Sequence, residues 1–143
     1  AYGEGADQDY NTKIEIVSTI FNRAESGKAE FGADTGKITD VLKKGYHAYS
    51  KQSAKFMEAM NQKFPDKMSE DSFKDFVAIT SGILSGKINR TASLFFLTPK
   101  EAERMRKTKA MNMDLLEKTA SSGAFNFYKY KLQQPKKGRK SAK

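Results

Sequence analysis

Two stretches repeat apolar residues at the spacing of one helix face, and a chain that carries both is expected to be mostly helical. In residues 12–26, Ile14, Val17, Phe21 and Ala24 share a face that Ile16 and Ile20 widen. Ser26-Gly27 supplies the stop. In residues 70–85, Phe73, Phe76, Val77, Thr80, Ile83 and Leu84 form a second stripe, ended by Gly86.

Weaker signals fill the rest. Ile38 to Lys43 reads as a short helix before Gly45, and Ser53 to Lys63 as another, with Phe56, Ala59 and Met60 on one side and Pro65 closing it. Residues 31–36 read as a loop, and residues 46–52 show no period. Thr91 to Leu97 is rich in β-branched and aromatic residues and predicts a strand. Thr98-Pro99-Lys100-Glu101 is a capping box with proline at the first helical position, so a helix should follow to about Lys109. Met113 to Lys118 predicts a short helix, Ser121-Ser122-Gly123 a turn, and residues 124–132 a second strand, antiparallel to the first. The expected fold class is α+β: mostly helical, with a small antiparallel sheet late in the chain.

Length, 143 residues, suits one domain. No run reaches the roughly 18–20 apolar residues of a membrane span, and no charged region followed by an apolar one opens the chain, so no signal peptide is expected. The net charge is +9, but residues 129–143 carry seven Lys and Arg and no acid. The other 128 residues hold 19 basic and 17 acidic groups. The division expected is a folded domain over residues 1–132 and a basic flexible tail over 133–143, either simply solvated or touching a polyanion.

The missing residue types narrow the chemistry. No cysteine means no thiol nucleophile, and a single histidine, His47, rules out a multi-histidine metal site within the chain. No Gly-x-Ser-x-Gly elbow, phosphate loop or dinucleotide loop is present. His47 reads as a surface or groove residue. Carboxylate chemistry remains, with no metal and no cofactor.

One carboxylate, which alone reads as a solvated acid near a chain end, is singled out by the blocks that follow it. Glu4 lies between two glycines in Tyr2-Gly3-Glu4-Gly5-Ala6. Four further blocks follow in order: the helix Ile16-Val17-Ser18-Thr19-Ile20-Phe21 ending in Asn22-Arg23, then Tyr49-Ser50 after Gly45, then Ala92-Ser93-Leu94-Phe95 leading to Pro99, then Gly123 before Phe127-Tyr128. In this order the chain resembles the cell-wall hydrolases of the spore cortex-lytic family, which also occur as phage lysins, those of enveloped double-stranded RNA phages among them. The five blocks span residues 2–128. Leu94 stands where that family carries a histidine, Ala124 or Phe125 replaces a second one, and its second early acid is matched only by Asp7 or Asp9.

The resemblance implies a lysozyme-like fold and a lytic enzyme that cleaves the bond between N-acetylmuramic acid and N-acetylglucosamine in peptidoglycan, with Glu4 as catalytic acid. Burial against an apolar wall disfavours the charged form of a carboxyl group, and the helix face of Ile14, Val17 and Phe21 is the expected wall. A muramidase needs a second carboxylate. Asp34 and Asp40 are available, but loop and helix-cap duties explain both. A lytic transglycosylase needs only one, so that reaction is preferred. Tyr46, Tyr49, Ser50, Phe95 and Tyr128 are the candidates for the glycan groove, since aromatic faces stack on sugars and hydroxyls bond to N-acetyl groups. The implied setting is a monomeric phage lysin serving entry or host lysis. It would be associated with the virion, or move from host cytoplasm to periplasm and wall.

Two other classes stay open. The basic tail and the alternation of Tyr128–Lys131 suit a nucleic-acid-binding module. A peptidase of wall cross-links is the other, although its usual ligands and nucleophiles are missing.

Overall fold

The computed structural model describes residues 1–131; the tail expected over 133–143 and the last residue of the expected late strand lie outside it. The helices are α1 (Tyr2–Gly5), α2 (Tyr10–Ser26), α3 (Ile38–Gly45), α4 (His47–Ser50), α5 (Ala54–Asn61), α6 (Lys67–Leu84) and α7 (Pro99–Thr108). Short 3-10 turns cover Ala29–Phe31, Ala33–Thr35 and Met113–Leu115. Three strands, β1 (Phe95–Leu97), β2 (Leu116–Ser122) and β3 (Phe125–Tyr130), form an antiparallel sheet in the order β1-β3-β2. The fold is therefore mostly helical with a small antiparallel sheet late in the chain. Among the described residues no helix is long and apolar enough to cross a membrane.

Helix α2 runs through the middle. Asp9 caps its start by accepting from the Thr12 N–H at 2.8 Å, and Gly27 ends it in the left-handed conformation. Val17 joins Tyr2, Phe76 and Ile79 in one core cluster, with Ile14 and Phe21 packed around them. Ile20 joins Phe31, Val41, Tyr46, Phe95, Leu116 and Tyr128 in the other. Buried polar residues on the same helix are hydrogen-bonded, Arg23 through its Nε alone. Lys13 forms an ion pair of 2.9 Å with Asp75, Thr12 Oγ1 and Ser122 Oγ lie 2.6 Å apart, and Thr19 donates to the Ile16 carbonyl at 2.7 Å.

Four sequence readings change. The stripe of α6 is centred on Ser72, Phe76 and Ile79, the residues that face α1 and α2. Val77 is 49% exposed and Leu84 is 72% exposed; Val77 is turned about 100° from Phe76, away from that contact. Residues 91–94 lie outside the strand. Side chains of α2 take their carbonyls instead: Asn22 Nδ2 donates to Thr91 O at 2.7 Å and Ser93 O at 2.8 Å, and Arg23 Nε donates to Leu94 O at 2.6 Å. Backbone groups satisfied this way have no need of a ladder partner. Residues 46–50, without a period, hold the single turn of α4.

Residues 116–122, expected to finish a helix and then turn, are instead β2. Leu116 pairs with Tyr130 and Ser122 with Phe125 across β3, with an irregularity between Lys118 and Ala120. Gly123, at φ +58°, makes the tight turn between them. A side chain there would collide with Gln8 and Thr12 of the helical body. β1 pairs Phe95 with Tyr128 and Leu97 with Asn126, the antiparallel arrangement expected of the two aromatic segments.

Candidate active site

The glycines beside Glu4 act through the space they leave. A Cβ on Gly3 would come within 2.5 Å of the Ala48 Cβ, and one on Gly5 would overlap the Ile16 side chain. So α1 sits tight against α4 on one side and α2 on the other. That approach brings the Glu4 carboxylate to the start of α4, where Oε1 accepts the Ala48 N–H at 2.9 Å. Tyr2 fixes the other end of the turn. Its ring lies edge-on to Phe64, Phe73 and Phe76, and its hydroxyl donates to Glu58 Oε1 at 2.9 Å.

Glu4 stands where two clefts meet. The first, about 460 Å³, is apolar and lies within the helical body, walled by Leu42, Tyr46, Tyr49, Phe56, Phe73 and Val77. The second, about 480 Å³, separates the helices from the sheet and is lined by Arg23, Glu30, Lys44, His47, Phe95, Phe96 and Glu101. The helix face of Ile14, Val17 and Phe21 lines neither cleft. It is packed into the core cluster of Tyr2, Phe76 and Ile79, so the walls beside Glu4 come from α3, α4, α5, α6, α7, the sheet and, from α2, Arg23.

The five groove candidates separate. Tyr46 and Tyr49 line the apolar cleft with Glu4. Tyr46 is nearly buried: its hydroxyl lies 2.7 Å from Thr19 Oγ1, and burial pushes its ionisation above the ordinary tyrosine value. Tyr49 meets Phe56 edge-on at 5.3 Å. Phe95 reaches Glu4's polar cleft while belonging to the core. Ser50 is exposed in a neighbouring hollow beyond Tyr49, where its hydroxyl donates to the His47 carbonyl at 3.3 Å. The structure places Tyr128 in the core, 4% exposed, and it lines neither cleft.

The other carboxylates in the polar cleft are engaged. Glu30 Oε2 accepts the Tyr130 hydroxyl at 2.6 Å, and Glu101 Oε1 accepts the Thr98 N–H at 2.8 Å in the capping box. Asp34 and Asp40 line neither cleft, and Asp9 serves as the cap of α2. Among the described residues no three His, Cys, Asp or Glu side chains gather closely enough to hold a metal ion.

Sequence reasoning had not placed Arg23 or Phe96 at the site. Arg23 appeared only as the second half of the Asn22-Arg23 pair, and Phe96 only as part of a strand. Val77 was readable as apolar, but its position at the edge of the α6 stripe was the sign that it faces a cleft. No protein-family model, curated protein or solved structure matches the chain.

Proposed function

We propose that this chain is a peptidoglycan-cleaving enzyme that breaks the bond between N-acetylmuramic acid and N-acetylglucosamine as a lytic transglycosylase, in the setting of a phage lysin. The observation that carries this reading is Glu4 at the junction of two clefts, its Oε1 held by the Ala48 N–H. That hydrogen bond leaves Oε2 to carry the proton. A glycan strand lying across the junction would have sugars on both sides of the acid. The lysozyme-like character of the fold belongs to the same proposal: a helical body faces a small sheet across a cleft, with the acid on the helical side.

The reaction balances with one carboxyl group. Glu4 Oε2–H protonates the bridging oxygen as the bond from the muramic acid C1 to it breaks. The muramic acid 6-hydroxyl then closes on C1, and Oε2 takes up its proton. No water is consumed, and the acid is regenerated for the next cycle. Tyr46 and Tyr49 offer ring edges and faces to the sugar on the apolar side, and Phe95 and Phe96 on the sheet side.

Cleavage as a muramidase is the second reading, because Glu30 and Glu101 line the same cleft as Glu4. Against it, each already accepts a hydrogen bond that holds the fold together. Weighing the soluble products of purified peptidoglycan separates the readings. Fragments lighter by one water, ending in 1,6-anhydromuramic acid, support transglycosylation. Reducing ends mean hydrolysis, and freed amines on intact glycan would overturn glycosidic cleavage altogether.

A further inference from the structure

We infer that the polar cleft contains a carboxylate subsite built on Arg23, which takes an acidic group carried by the muramyl residue or its stem peptide. The inference rests on Glu4's clefts being the glycan site, and it names the part of the substrate that enters on the sheet side.

Arg23 is only 8% exposed yet lines the cleft. Its guanidinium carbon lies 5.2 Å from the ring centre of Phe31, 4.9 Å from Tyr46 and 5.3 Å from Phe95. Nε is used, donating to Leu94 O at 2.6 Å. Among the described residues no carboxylate pairs with it, and neither Nη group has a protein acceptor. Removing a charged group from water without a counter-ion is costly. Three aromatic faces and one carbonyl relieve that cost only in part, and they hold the planar fork still.

The fork also has a direction. A Cβ on Gly45 would overlap Nη1, and Gly45 lines the same cleft. A planar guanidinium with both Nη groups free matches a carboxylate through two parallel hydrogen bonds. The three glutamates of the cleft do not fill this role, since Glu4, Glu30 and Glu101 accept from Ala48, Tyr130 and Thr98 respectively. Lys44 and His47 complete the polar rim. The hydroxyls and N-acetyl groups of both sugars are neutral. An acid is the feature that distinguishes a muramyl residue from its neighbour, and a fixed guanidinium in the same cleft as the proposed acid sets which sugar lies on which side of the bond.

The test is direct binding to the full chain, followed by backbone amide shifts of Gly45 and Phe95. The probes are N-acetylmuramic acid, its methyl ester, N-acetylmuramyl-L-alanine and N-acetylglucosamine. The expected result is about tenfold or tighter binding of an acid-bearing sugar than of the ester or N-acetylglucosamine. Which acid is preferred, lactyl or peptide, identifies the source. Arg23→Lys should weaken the preference and Arg23→Gln should remove it, with thermal melting as the fold control. If Arg23→Gln does not fold, the acid-against-ester comparison on the unaltered chain still decides. Equal binding of acid and ester overturns the subsite. A chain that binds the acid but releases no muropeptides keeps the subsite and loses the lytic reaction. One that releases anhydro-ended products without discriminating keeps the reaction and loses the subsite.

Discussion

Glu4 Oε1 and the Ala48 N–H lie 2.9 Å apart, joining the one-turn helix α1 to the first turn of α4 across 44 positions of sequence. The carboxylate accepts one of the N–H groups that a helix start leaves unpaired, so it is both a strut and the proposed acid. The two roles separate under Glu4→Gln. Glutamine keeps the acceptor oxygen but has no proton to deliver. The expected outcome is a drop in lytic rate of about 10²–10⁴-fold with an unchanged circular dichroism spectrum and melting temperature. A variant as active as the parent would remove Glu4 from the mechanism.

The close packing at Gly3 gives a second test that leaves the acid in place. In Gly3→Ala the added methyl meets the Ala48 Cβ at 2.5 Å, and α1 has to move away from α4. Helix propensity alone favours alanine by about 1 kcal/mol, so a purely local view expects a more stable protein. The geometry expects the opposite: overpacking costs about 1–3 kcal/mol, and activity falls because Glu4 is displaced from Ala48. Chemical denaturation and lysis assays on the same preparation check both parts. Equal or greater stability with full activity would show that the two helices are not locked.

The elements readable in the sequence are those whose signals are local. The capping box of Thr98 and Glu101 is present with both hydrogen bonds, and α2 runs close to its expected bounds. What was not readable depends on partners far along the chain. Residues 91–94 have strand-forming side chains, but Asn22 and Arg23 take their carbonyls. β2 is largely polar and irregular between Lys118 and Ala120, so no alternating pattern marks it, and its pairing with β3 decides its state. At the site, only the five blocks in order marked Glu4, and only the fold shows that its flanking glycines make room for α4 and α2. Tyr128 has the same aromatic character as Tyr49, and nothing in the sequence separates a core ring from a cleft ring.

Asn22 ties α2 to the segment that leads into β1. Its amide nitrogen donates to Thr91 O at 2.7 Å and Ser93 O at 2.8 Å. Asn22→Ala removes both bonds and leaves two carbonyls without them. At about 0.5–1.5 kcal/mol per bond, the expected loss is about 1–3 kcal/mol by denaturant titration. Asn22→Asp should be at least as damaging, because a carboxylate has no donor and faces two carbonyl oxygens. An aspartate variant as stable as the parent would mean that these bonds contribute nothing net.

Alkaline titration reports on the packing around both clefts. Tyr130 is pushed up to about 12, first by burial and then by its hydrogen bond to Glu30, while Arg23 pulls the other way. Tyr2 and Tyr46 are also raised, each chiefly by burial. A raised tyrosine favours the neutral form in the folded state. Its contribution to stability is therefore complete below the ordinary value of 10.0 and is lost as pH rises toward 12. Tyrosinate absorbance should accordingly show at least three of the six tyrosines ionising late, and stability should fall across the same interval. Glu30→Ala removes both the acceptor and its charge from Tyr130, so the ionisation of Tyr130 should move part of the way back toward 10.0. If Glu30→Ala left the titration of Tyr130 unmoved, the bond between Tyr130 and Glu30 would not exist in solution, and Glu30 would be free to act as the second carboxylate that a muramidase requires.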